Sequence, residues 1–164
     1  MTLKKSLLAL LLATAFSAES MAQAELQVIH NCADPAAATV DVYINGTLTL
    51  NDFAFRTATS FLTVPSGVNI DIGIAPGNST SANDTIVNIP RTFVQNERYV
   101  AIASGVLTPS SFATNPDAVN TNFRLRFSAN IRNAAQNAGE VDLKVFHGAT
   151  DAPTVDVLAQ GAGV

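Results

Sequence analysis

Val40-Asp41-Val42-Tyr43-Ile44-Asn45-Gly46-Thr47-Leu48-Thr49-Leu50 sets two β-prone runs on either side of an Asn-Gly pair. Asn-Gly tolerates the two positive φ angles of a type I′ turn, whose twist matches that of the flanking strands, so the stretch predicts a tight antiparallel hairpin. In its first arm Val40, Val42 and Ile44 share one face, and Asp41 and Tyr43 share the other. The apolar set predicts the buried side.

Outward from this hairpin the same reading continues. Residues 26–29 predict a strand upstream. Downstream, Phe61-Leu62-Thr63-Val64 is stopped by Pro65-Ser66-Gly67, and Val68-Asn69-Ile70-Asp71-Ile72-Gly73-Ile74 alternates without a break. Alternation of period two marks an antiparallel sheet with one face buried and one wet. Residues 85–89, residues 98–104 and Phe123-Arg124-Leu125-Arg126-Phe127 complete the set. Polar loops occupy residues 76–83 and 108–122. No apolar 3.6-residue period is long enough for a core helix, and residues 130–139 resemble a linker with a helical turn around 133–136. The expected fold is all-β: an antiparallel immunoglobulin-like β-sandwich of about seven strands, followed by the opening strands of a second, truncated copy.

The first 24 residues read as a secretory signal peptide. Lys4 and Lys5 are followed by an apolar run over 7–16 and a small-x-small site, Ala22-Gln23-Ala24. The run is shorter than the roughly 20 residues of a membrane-spanning helix, so no membrane insertion is expected after cleavage. A mature chain from Glu25 carries seven basic and twelve acidic residues, a net charge of −5. Nucleic acid and anionic lipid call for clustered positive charge and are not expected partners. Cys32 is the single cysteine, so stability has to come from the core without an internal disulfide.

The chain also repeats itself. Leu26-Gln27-Val28-Ile29-His30 returns as Leu143-Lys144-Val145-Phe146-His147, Asp34 as Asp151, and Thr39-Val40-Asp41-Val42 as Thr154-Val155-Asp156-Val157. The expected organisation is a first sandwich domain over 25–130, a linker over 131–139 and an incomplete second copy over 140–164. Two strands alone are marginally stable in water, so the tail either belongs to a longer tandem protein or adds its edge to another sheet by strand-edge self-association.

His147-Gly148-Ala149-Thr150-Asp151-Ala152-Pro153-Thr154-Val155-Asp156-Val157 resembles the signature of a bacterial family, domain of unknown function 4397. Phe61-Leu62-Thr63-Val64-Pro65-Ser66-Gly67 and Glu97-Arg98-Tyr99-Val100-Ala101-Ile102-Ala103-Ser104-Gly105 are similar to two further motifs of that family. The resemblance implies an exported sandwich, often in tandem, with no established activity and a suspected role in adhesion or ligand recognition.

His30, Asp34 and Asp41, with their counterparts His147, Asp151 and Asp156, invite a metal or catalytic reading, since these residue types ligate ions and carry protons. Strand parity argues for structure instead. His30 lies on the face of Leu26 and Val28, which predicts a buried ring that needs a partner in the following loop, Asp34 included. Asp41 lies on the opposite face and is expected to look out to water. Asp34 and Asp41 are the candidate calcium ligands, though the run lacks a dedicated calcium loop. No catalytic residue, metal or cofactor is expected. There is no Gly-x-Ser-x-Gly elbow, phosphate loop or Cys-His cluster. The function expected is that of an exported, non-enzymatic module in the periplasm or at the surface of a bacterium. It would bind an unknown protein or glycan through loops 75–84 and 108–122. The alternatives are a calcium- or carbohydrate-binding domain and, beyond them, a hydrolase using His30.

Overall fold

The structure, a computed structural model, describes residues 22–158. The expected leader, apart from its last three residues, lies outside the described residues. Eight strands follow one another: β1 (Gln23–His30), β2 (Thr39–Ile44), β3 (Thr47–Ala54), β4 (Leu62–Pro65), β5 (Asn69–Pro76), β6 (Val87–Thr92), β7 (Arg98–Ser104) and β8 (Arg124–Ser128). They form two four-stranded sheets, ordered β4-β1-β7-β8 and β3-β2-β5-β6. The all-β sandwich is therefore present, with eight strands.

One pairing departs from an all-antiparallel layout: β1 runs parallel to β7, from Glu25 opposite Arg98 to His30 opposite Ala103. Parallel neighbours need a long crossover. Here residues 31–97 provide it, building β4 and the entire second sheet on the way. At the β2–β3 turn Asn45 and Gly46 adopt φ of 50° and 77°. Asn45 Oδ1 accepts the Asp71 N–H at 2.9 Å, tying the turn to β5.

The inner faces meet in one core that includes Leu26, Val40, Val42, Val64, Ile70 and Ile72. Phe93, fully buried, closes one end, with its ring edge-on to Tyr99 at 4.9 Å. Phe123, Leu125 and Phe127 pack against this core, while Arg126 is exposed.

Residues 141–158 form no strand. Val141, Leu143 and Val145 are 81%, 78% and 62% exposed. The expected opening strands of a second copy are thus not formed among the described residues. In the first copy the equivalent run, β1, is held between β4 and β7; the tail has neither neighbour. Residues 133–136 show bends and no helical turn.

Strands β1, β3, β5 and β7 deliver the chain to the same end of the sandwich, where their following connections touch. The Arg56 N–H bonds the His30 carbonyl at 2.8 Å and the Gly77 N–H the Thr39 carbonyl at 3.1 Å. The Leu107 N–H bonds the Asp34 carboxylate at 2.9 Å. Loops 75–84 and 108–122 therefore belong to one end.

Candidate functional site

His30 ends β1 with its side chain turned into the core, 2% exposed, as strand parity requires. Its Nε2 lies 2.8 Å from the Ala37 carbonyl, and the Cys32 N–H points at its Nδ1 from 3.4 Å. A carbonyl can only accept and an N–H only donate, so the two contacts together specify the neutral ring protonated at Nε2. Burial holds the imidazole pKa below its ordinary 6.5, which agrees with a neutral ring. The rings of Phe53 and Phe55 flank it at 5.8 and 6.0 Å. Both nitrogens are engaged by backbone, and the ring's work is to shape the loop between β1 and β2.

Asp34 is not the partner of His30. Its Oδ1 caps the 3-10 turn Pro35–Ala37 by accepting the Ala36 N–H at 2.9 Å. Its Oδ2 accepts the Leu107 and Thr108 N–H groups at 2.9 and 3.3 Å. Those bonds, the cap first, hold its pKa below the usual carboxylate value. The carboxylate pins the β7–β8 connection onto the β1–β2 loop.

The expectation that Asp41 looks out to water is corrected by the structure. The residue does point away from the inter-sheet core, but it is 1% exposed. Its Oδ1 accepts the Asp52 N–H at 2.8 Å and its Oδ2 accepts the Ser79 hydroxyl at 2.5 Å. Ser79 in turn bonds the Tyr43 hydroxyl at 2.8 Å. The β5–β6 connection folds over the outer face of β2 and covers it. Asp52, at φ 53°, belongs to the irregular register of β3 against β2. With N–H and O–H donors on both oxygens, the Asp41 carboxylate is occupied as a hydrogen-bond hub. Among the described residues no group of three or more His, Cys, Asp or Glu side chains is placed to hold a metal ion.

The second copy reproduces only the loop. His147 Nε2 lies 3.2 Å from the Pro153 carbonyl, so the imidazole-to-loop bond forms there too. His147, Asp151 and Asp156 are all exposed, and they assemble no site with the first copy's trio.

Of the hollows among the described residues, two adjoin the His30 loop, and other open clefts lie elsewhere on the surface. Between the sheets lies a cavity of about 40 Å³ lined almost entirely by apolar side chains. Apolar cavities that admit even benzene are nearer 150 Å³, so this space is packing slack. The second is an open cleft of about 890 Å³ at the loop end, where Asn31, Phe55, Arg56, Phe112, Asn115 and Asp151 contribute to the walls. The Arg56 guanidinium sits 5.2 Å from the centre of the Phe55 ring. Arg56 adopts φ 64° and its N–H is held by the His30 carbonyl. The main chain at the end of β1 thus holds the segment that presents Phe55 and Arg56, through the Arg56 N–H on the His30 carbonyl and the His30 N–H on the Thr57 carbonyl. Asn115 donates to the Thr150 carbonyl at 2.7 Å, which makes the tail one wall of the cleft. Sequence reasoning reached loop 108–122 but missed Phe55 and Arg56. An aromatic-cation pair just past the end of a predicted strand was the available signal.

A family model described as a domain of unknown function (DUF4397) matches residues 24–158. No curated protein matches the chain.

Proposed function

Because the chain belongs to the DUF4397 family, and its His-Asp motif shapes loops, we propose that it is an exported, non-enzymatic binding module of the cell surface or periplasm. The observation that carries this reading is the loop-end cleft. The β1–β2, β3–β4 and β7–β8 connections meet there with the tail, and the sandwich below holds them in place, the usual arrangement for recognition on a β scaffold; the β5–β6 loop lies at the same end but contributes none of the cleft's walls. The residues that would have to do chemistry in a hydrolase are engaged elsewhere: both ring nitrogens of His30 and both carboxylate oxygens of Asp34 and Asp41 have backbone or side-chain partners.

The lining favours a saccharide over an ion. Phe55 and Phe112 offer ring faces, Phe112 being 41% exposed, and Asn31, Asn115 and Arg56 offer donors beside them. Apolar faces with amide and guanidinium donors suit a sugar's C–H faces and hydroxyls. Calcium would have to displace the donors now on Asp34 or Asp41.

The test is retention of the purified protein in affinity gels containing a panel of bacterial polysaccharides, compared with an Arg56→Ala/Phe112→Ala variant of unchanged circular dichroism. Retention by at least one polysaccharide, lost in the variant, is the expected result. Retention that survives both substitutions would place recognition elsewhere, and no retention on any gel would end the saccharide reading.

A further inference from the structure

The expected leader cleavage after Ala24 conflicts with how the first strand is used. Gln23 and Ala24 belong to β1, paired with Pro65 and Val64 of β4. Ala24 is 2% exposed and part of the core cluster. The Gln23 carbonyl accepts the Asn96 N–H at 2.8 Å, fastening the β6–β7 turn, where Asn96 adopts φ 62°. Cleavage after Ala24 would delete that acceptor and a core side chain. It would also leave a charged α-ammonium on Glu25, whose N–H bonds the Glu97 carbonyl at 3.0 Å in the middle of a sheet.

Two residues upstream the sequence offers a second small-x-small triplet, Ser20-Met21-Ala22. We propose that the leader is removed after Ala22, so that the mature chain begins at Gln23. Water adds across the Ala22–Gln23 peptide bond, catalysed by the exporting cell's leader peptidase. The products are a carboxylate on Ala22 and a free α-amine on Gln23. Small side chains at the first and third positions before the bond are what such a peptidase reads. Among the described residues the backbone hydrogen bond surrendered is that of the Ser66 N–H to the Ala22 carbonyl, 2.9 Å long. Gln23 is exposed, and the new terminus emerges at the rim of the sheet where its charge stays hydrated. An N-terminal glutamine can then cyclise: its α-amine attacks the side-chain Cδ and expels ammonia, leaving a neutral lactam.

This inference rests on the export proposed above, and one experiment separates the two. The full chain with its own leader is produced in a Gram-negative host, recovered from the periplasm and the cytoplasm, and its N-terminal peptide is identified by mass spectrometry. A periplasmic chain starting at Gln23, as the amine or as the lactam one ammonia lighter, is expected. A start at Glu25 or any other internal residue overturns the inference and leaves export standing. A chain found only in the cytoplasm with its leader attached overturns both. In Ala24→Leu, where the changed residue lies beyond the bond, processing after Ala22 should persist. In Ser20→Leu, three positions before the bond, it should be lost. The opposite pattern would also sink the assignment.

Discussion

Replacing His30 tests the structural reading most directly, because each part of its role has a measurable size. In His30→Ala the Ala37 carbonyl loses its 2.8 Å donor and the Cys32 N–H its long 3.4 Å acceptor. A buried polar group left unsatisfied costs about 1–3 kcal/mol, and the Cys32 contact, being long, counts toward the lower end. The vacated ring space adds a term on the scale of aromatic-to-alanine changes, about 3–5 kcal/mol before relaxation and water entry. His30→Ala is therefore expected to lose about 4 kcal/mol or more, a large part of the 5–15 kcal/mol a domain possesses. His30→Phe keeps the volume, loses only the two bonds and should lose about 2 kcal/mol. Urea unfolding at pH 7.5 measures both.

The pH dependence supplies an independent check. A histidine with a folded pKa below its unfolded value of 6.5 binds its proton more readily when unfolded. Its neutral-state contribution is fully present above pH 6.5 and falls as acid is added toward the folded pKa. The wild type should lose stability on acidification below pH 6.5, and His30→Phe should show a flatter slope there. A His30→Ala protein within 1 kcal/mol of wild type, or slopes that coincide, would refute the assignment of the ring to the core.

Three further outcomes follow from the same geometry. Asp34, with a folded pKa below the ordinary 3.8, contributes stability that is present above that value and lost as pH falls further, so Asp34→Asn should flatten the acid limb below about pH 4 in urea midpoints. Asp41→Ala strands the Asp52 N–H and leaves the Ser79 hydroxyl only its Tyr43 partner, and should cost about 2–3 kcal/mol by the same method, more than Ser79→Ala, which removes the bonds of Ser79 to Asp41 and Tyr43 but strands no backbone N–H. Limited proteolysis should clip residues 140–158 first, leaving the sandwich from β1 through residue 130 intact, because tail side chains such as Leu143 and Leu158 are 78% and 90% exposed; a tail that resists protease as long as β8 does would contradict this.

The strands were readable because alternation and turn chemistry are local. Asn45-Gly46 fixed the hairpin, and the alternating run from Val68 to Ile74 fixed β5, since each signal is complete within a few residues. What escaped was long-range. Asp41 was placed on the correct face by parity, yet its burial depends on Ser79, 38 residues downstream. The outer face of Gly73 is filled in the same way, by Thr85 and Asn88, whose side chains stand 3.0–3.1 Å from where a Cβ would sit and would have to give way to it. An alternating strand reports which residues share a face. It does not report whether a later loop will roof that face. The parallel pairing of β1 with β7 is of the same kind, being fixed by the path of 67 intervening residues. The cleft was half legible: its loop was marked by composition, but Arg56 enters it through a positive φ that no propensity predicts.

The second copy shows what the motif encodes by itself. In both copies the imidazole reaches a carbonyl in the short loop before Thr-Val-Asp-Val, at 2.8 Å in the first and 3.2 Å in the second. In the second copy this occurs with no strand on either side of the loop. A bond that survives the absence of the sheet is specified by local chain geometry, whereas Asp41, and Asp34 beyond its local cap on Ala36, acquire their partners from β3 and from the β5–β6 and β7–β8 connections. The histidine therefore sets the loop first in the hierarchy of structure, and the carboxylates lock the finished sandwich onto it. That division of labour makes the motif a fixed corner for the end of the sandwich at which the β1–β2, β3–β4, β5–β6 and β7–β8 connections lie.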